Sequence, residues 1–131
     1  MRLLLAVLLV VPALACKKPV ASTVARYPDS TLRPTSDPVA TPEATLVHVI
    51  LRAGDKAPAI LNFYKSDLEA RAAHRVGETY EHENLAHQGG FGLDGFVTVK
   101  DPSKPGVWLG VADSGTSTAD IDIWENIPKA P

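Results

Sequence analysis

Cysteine occurs only once in the 131-residue chain, at position 16. A single cysteine excludes any internal disulfide. Positive charge is not in excess: 13 Lys and Arg against 15 Asp and Glu leave a net charge of −2. There is no basic stripe, so nucleic-acid binding is not expected. Beyond residue 15 no apolar run approaches the roughly 20 residues that a membrane-spanning helix needs. A G-x-S-x-G frame, a P-loop, zinc-finger spacing, a stacked-aromatic basic patch and an internal repeat are also missing. These absences remove the common signatures of serine hydrolases, phosphate-loop enzymes and zinc modules.

What is present begins at the amino terminus. Met1-Arg2 precedes an uncharged apolar run over residues 3–11. A short basic region before a run of that length has the form of a signal peptide, and the run is too short to span a bilayer. It also supplies much of the 45% hydrophobic composition, so the remainder of the chain is more polar than that figure. Removing residues 1–15 takes away Arg2 and makes the net charge one unit more negative.

Pro12-Ala13-Leu14-Ala15-Cys16 follows. The pair Ala15-Cys16 resembles the end of the bacterial lipobox, although Ala13 stands where leucine is usual and Pro12 is uncommon there. The resemblance implies cleavage before Cys16, a diacylglyceryl group on its sulfur and often a further N-acyl chain. Two or more chains hold a protein durably, at about 0.8 kcal/mol per buried methylene. It also accounts for a lone thiol at the first mature position. Lys17 follows, with no Asp to signal inner-membrane retention, so analogy with enteric bacteria implies the outer membrane, facing the periplasm. Ala13-Leu14-Ala15 is at the same time an A-x-A site for ordinary signal peptidase, which would release a secreted or periplasmic soluble protein.

The rest divides into a tether and a domain. Residues 16–25 carry the lipidated cysteine and small polar residues with Pro19, which read as a flexible tether. Lys17 and Lys18 add a minor attraction to anionic headgroups. Prolines at 28, 34, 38 and 42 leave little room for a helix, with a short strand possible near 30–35. One α+β domain is expected over residues 26–129. The run 45–52 is apolar on both faces and predicts an interior strand. Gly54-Asp55 stops it, with Asp55 as N-cap and Pro58 in the first turn of a helix over 56–73. Ile60, Leu61, Tyr64, Leu68 and Ala72 fall on its one apolar stripe, widened by Phe63. Residues 76–83 read as an edge strand, and 96–100 and 107–112 as stronger strands, with a turn at 102–106. In 120–124, Ile121 and Ile123 face the core while Asp120, Asp122 and Trp124 face outward. The sum is one amphipathic helix packed on an antiparallel sheet of about five strands.

Tyr27-Pro28-Asp29-Ser30, a strand, and a helix containing Phe63-Tyr64-Lys65-Ser66-Asp67-Leu68-Glu69 resemble a group of small bacterial envelope proteins. Their pattern is a YPGA-like turn, a strand and an FY-x-x-x-L helix ending in Gly-Trp. The resemblance covers about residues 26–76. Asp29 replaces the usual glycine, and Ala73-His74 stands in place of Gly-Trp. It implies an anchored envelope domain without a known reaction.

Several strings carry the letters of chemistry. Val111-Ala112-Asp113-Ser114-Gly115-Thr116-Ser117 resembles the aspartic-protease signature, in which the aspartate shares a proton with a second one across a twofold axis. Asp, Ser and Gly are equally the residues of a strand-to-strand turn. Gly90, Gly92 and Gly95 fit G-x-G-x-x-G, but the next residues read as a strand where a dinucleotide site needs a helix. A mobile hairpin loop fits better. His82 and His87 are spaced one residue too far for H-E-x-x-H, and on a helix would diverge. In an extended loop they could still converge, with Glu81 or Glu83 nearby. His48 reads as a packed, hydrogen-bonded histidine, and His74 as a favourable cation near the helix end.

No catalytic residue, metal or cofactor is assigned. The expected function is an envelope lipoprotein with a binding or structural role, bound to the membrane through lipid on Cys16. An envelope protein partner would meet the 84–95 loop and Trp124, with His82, His87 and Phe91 as contacts. The alternative is a small hydrolase or metal-binding periplasmic module using Asp113 or His82 and His87.

Overall fold

A strand that is apolar on both faces must be covered on both, and this requirement organises the molecule. A computed structural model describes residues 20–89, 91–92 and 95–129. In chain order these form β1 (Thr31–Arg33), β2 (Val39–Ala40), β3 (Ala44–Ala53), α1 (Ala57–Ala70), β4 (His74–Val76), β5 (Thr79–Glu81), β6 (Leu85–Gly89), β7 (Gly95–Val99), β8 (Gly106–Asp113) and β9 (Ala119–Pro128). The fold is α+β, with one helix and antiparallel sheets among the described residues.

Seven strands form the main sheet, in the order β1-β3-β9-β8-β5-β4, with β2 also on the free edge of β3. This exceeds the expected five for local reasons. The 76–83 stretch bends at Gly77, whose φ of 61° suits glycine, and splits into the β4–β5 hairpin. Two short strands, β1 and β2, share the outer edge of β3. Residues 85–89, expected in a loop, form β6 and pair with β7 in a separate two-stranded sheet. His74 consequently lies in β4 opposite Glu81, not at the helix terminus.

The centre is the β3–β9–β8 ladder, in register from Ala44↔Pro128 to Ala53↔Ala119. Side-chain alternation sends Leu51, Leu109, Ile121 and Ile123 toward α1, where they meet Ile60, Leu61, Tyr64 and Leu68. Full burial of each aliphatic side chain contributes about 1.5–3 kcal/mol. The opposite face carries Leu46, Trp108 and Trp124, and the β6–β7 hairpin covers it with Leu85, Val97 and Val99. The sheet is thus sandwiched between a helix and a hairpin.

The helix differs from expectation at both ends. Its N-cap is Lys56, which makes no side-chain capping bond, while Asp55 accepts the Tyr27 hydroxyl at 2.6 Å. At the other end Ala72 leaves the apolar stripe. The amides of Ala72 and Ala73 bond back to the Glu69 and Leu68 carbonyls, closing a Schellman motif. Ala72 takes φ 64° there, a position that favours glycine. Phe63 is exposed and stacks edge-on with Tyr27, centroids 5.1 Å apart.

Candidate functional site

The layer between the sheet and the β6–β7 hairpin gathers most of the polar residues singled out from the sequence. His48 on β3, Trp124 on β9 and Trp108 on β8 are cross-strand neighbours on this face. The His48 imidazole stacks on the Trp124 indole at 3.7 Å. Its Nε2 lies 2.5 Å from Oδ1 of Asp122, which is fully buried. The second carboxylate oxygen accepts the Gly92 amide at 2.8 Å. A carboxylate in such surroundings needs partners for both oxygens, because leaving one bare costs far more than the bond contributes.

This geometry corrects the solvent-facing reading of Asp122 and Trp124. The alternation of 120–124 is real, but the face opposite the helix is covered by the hairpin. Asp120 alone keeps partial exposure and pairs with Arg52, at 2.9 Å to Nε and 3.1 Å to Nη2. Trp124 is buried and does not present its ring to a partner. His87, on β6, lays its imidazole flat on Trp108 at 3.9 Å. Burial, with His48 acting in the same sense, holds His87 below the usual histidine range; Asp122 and Glu81 oppose this. Among the described residues three buried polar atoms here have no hydrogen-bond partner: His48 Nδ1, His87 Nε2 and Trp124 Nε1. Each unsatisfied atom costs about 1–3 kcal/mol.

The remaining candidates have local roles. His82 accepts the Asn84 amide on Nδ1 at 3.0 Å, in the turn that leads into β6. It therefore serves the turn, whereas His87 serves the Trp108 stack. No group of three or more His, Cys, Asp or Glu side chains converges on a metal-sized site among the described residues. Asn84, read as part of a recognition loop, is buried and anchors the turn before β8. Its Nδ2 reaches the carbonyls of Asp101, Lys104 and Pro105, and its Oδ1 accepts the Asp101 amide. Phe91 remains partly exposed beside Arg33, Pro34, Ile50 and Asp120, around an open groove. Gly90, Leu93 and Asp94, like the expected signal segment and Cys16, lie outside the described residues.

Asp113 has a structural partner. Its Oδ1 accepts the Ala57 amide, the first N–H of α1, at 3.1 Å, and its Oδ2 lies 3.5 Å from Lys56 Nζ. Lys56 also donates to the Gly115 carbonyl at 2.6 Å. The β8–β9 turn thus caps the helix from a distance, the task expected of Asp55. This is the turn reading of the Asp-Ser-Gly string, on an exposed loop rather than facing a second aspartate. Asp113→Ala should lower stability by about 1 kcal/mol, the usual effect of losing an N-cap, and Asp113→Asn by less. Urea unfolding checks this; a loss above about 3 kcal/mol would show that the carboxylate does more than cap.

Sequence reasoning gave no role to Glu125. It is buried on the helix side and collects the Ser22 hydroxyl at 2.7 Å, the Thr23 amide at 2.8 Å and the Thr23 hydroxyl at 2.6 Å. Arg71, at the helix C-cap, donates to Thr23 Oγ1 at 2.7 Å and approaches Glu125 at 3.4 Å. Val24 enters the core, and the Tyr64 hydroxyl donates to the Ala25 carbonyl at 2.7 Å. Within the stretch read as tether, residues 22–25 are therefore packed on the domain. A buried glutamate at an otherwise apolar strand position was the available signal, since such a group demands donors.

Comparison with known family models, curated proteins and solved structures found no match.

Proposed function

We propose that this chain is an envelope lipoprotein, cut before Cys16 and anchored by lipid, whose domain has a non-catalytic binding or structural role. The observation that carries the reading is Ala15-Cys16 directly after a short basic and apolar leader. Support comes also from how the domain uses its reactive-looking groups. Asp113 caps α1, Asp122 is paired inside, and His82 closes a turn. Each of the three makes a structural contact.

No helix among the described residues is long and apolar enough to cross a membrane. In the proposed arrangement the lipid supplies the attachment. Residues 17–21 then separate Cys16 from Ser22, a span of at most about 20 Å. The domain would sit close over the outer membrane on its periplasmic side.

Mass spectrometry of the mature amino terminus tests the proposal. The expected product begins at Cys16 and carries diacylglycerol, and precursor accumulates when lipoprotein signal peptidase is inhibited by globomycin. Cys16→Ser should abolish the lipid. An unmodified Cys16 terminus whose processing ignores the inhibitor would overturn the reading in favour of a soluble exported protein.

A further inference from the structure

The β6–β7 hairpin lies on the main sheet without joining it. Its two strands pair with each other alone. Among the described residues, its polar attachments sit at the two ends. At one end the Gly92 amide binds Asp122. At the other, Asn84 holds the turn before β8, and the Lys100 amide binds the Asn84 carbonyl. Between them the contact is apolar, Leu85, Val97 and Val99 on Leu46, Trp108 and Trp124, with the His87–Trp108 stack.

That stack contains a group that can change charge. His87 Nε2 is buried with no hydrogen-bond partner among the described residues. A neutral imidazole leaves only an unused lone pair there. A protonated one places an N–H and a positive charge in a space that offers it nothing to bind. The titratable groups that act on it come from three neighbouring strands. From β3 comes His48, from β9 Asp122, and from β5 Glu81. Asp122 already serves His48 and the Gly92 amide, and Glu81 accepts the Thr79 hydroxyl at 2.9 Å. Arg52 and Asp120 pair with each other at the next level of the sheet, and Arg33 on β1 borders the groove beyond them.

We propose that the β6–β7 hairpin is an acid-released flap, in which protonation of His87 breaks its stack on Trp108 and uncovers the Trp108–Trp124 face of the sheet. At neutral pH the imidazole is uncharged and the flap is closed. Burial lowers the affinity of His87 for a proton only while the flap is closed. Below the ordinary histidine value of about 6.5 the open form, in which His87 ionises freely, therefore gains over the closed one. The stabilisation of the closed state is complete above that value and is lost as the pH falls through it. The surface released is two indoles beside a carboxylate, an exposed apolar patch absent from the closed form.

Amide hydrogen exchange of the full mature protein, corrected for intrinsic rates, tests this at about pH 7 and about pH 5. Protection of β6 and β7 should fall by about tenfold at the lower pH, while β3 and β9 keep theirs. His87→Phe, which keeps a ring on Trp108 and cannot titrate, should abolish that fall. His87→Gln provides the same test without the ring, should the phenylalanine variant not fold. Unchanged protection in the wild type, an equal fall in both variants, or simultaneous loss across β3 and β9 would each overturn the proposal.

Discussion

Replacing His48 with alanine should lower folding stability by about 3–5 kcal/mol, the range expected when a buried carboxylate loses its side-chain partner. The carboxylate left behind, Asp122, is fully buried and would retain only the Gly92 amide. The loss is comparable to the whole stability of a small domain, about 5–15 kcal/mol. His48→Gln, with a side-chain donor, should lose less. The double variant His48→Ala/Asp122→Ala gives the sharper result. Because the first substitution hurts mainly by stranding the second group, the pair should destabilise by clearly less than the sum of the singles. Urea unfolding of the four proteins closes the cycle. Additive effects, or a His48→Ala loss under about 1 kcal/mol, would mean that the pair is not the keystone of this layer.

Gly110→Ala should also be severe, although it adds a single methyl group. Trp108 folds its indole across the strand onto Gly110, two residues away on the same face. A Cβ at Gly110 would lie 2.9 Å from Cζ3 and 3.1 Å from Cζ2 of that ring, and nearer still to Cη2. The indole cannot yield without disturbing the His87 stack above it. Overpacking of this kind costs about 1–3 kcal/mol, sometimes more. The near-ultraviolet circular dichroism of the tryptophans should change together with stability. Gly54→Ala is the matched control, since nothing lies within 4 Å of its added Cβ. It should stay within about 0.5 kcal/mol of the wild type. Equal behaviour of the two variants would remove the packing argument.

Both predictions concern a face that the sequence pattern does not display. Periodicity locates β3, α1 and β9 because each repeats its apolar residues at the spacing of one covered surface. Ile60, Leu61, Tyr64 and Leu68 were legible for this reason, and so was the interior place of β3. The second covered surface was not, since its residues are Asp122, His48, Gly110 and two tryptophans. A period of two reports that two faces differ, and says nothing about whether the polar one meets water or a hairpin. His48 held the clue. An imidazole within an apolar strand needs a partner, and the β3–β9 pairing brings Asp122 within its reach. The helix start was misassigned for a related reason. Asp55 and Asp113 are both suitable caps, and only tertiary structure decides that Tyr27 takes the first while α1 takes the second. Strand number was undercounted because β1, β2 and β4 are two or three residues long, too short to show any period. Asp29 illustrates a turn read by resemblance rather than by pattern. It adopts φ 59°, a left-handed conformation that favours glycine.

The contact between Ser22 and Glu125 joins residues 103 positions apart, and this separation sets an order of events. A chain synthesised from its amino terminus delivers Ser22 and Thr23 long before β9 exists. Until then these residues lack the Glu125 carboxylate that holds them in the folded domain. Arrival of β9 closes that interval by drawing residues 22–24 onto the finished sheet. The last strand thereby acts as a clock for residues 22–24, which take their places only when the domain is complete.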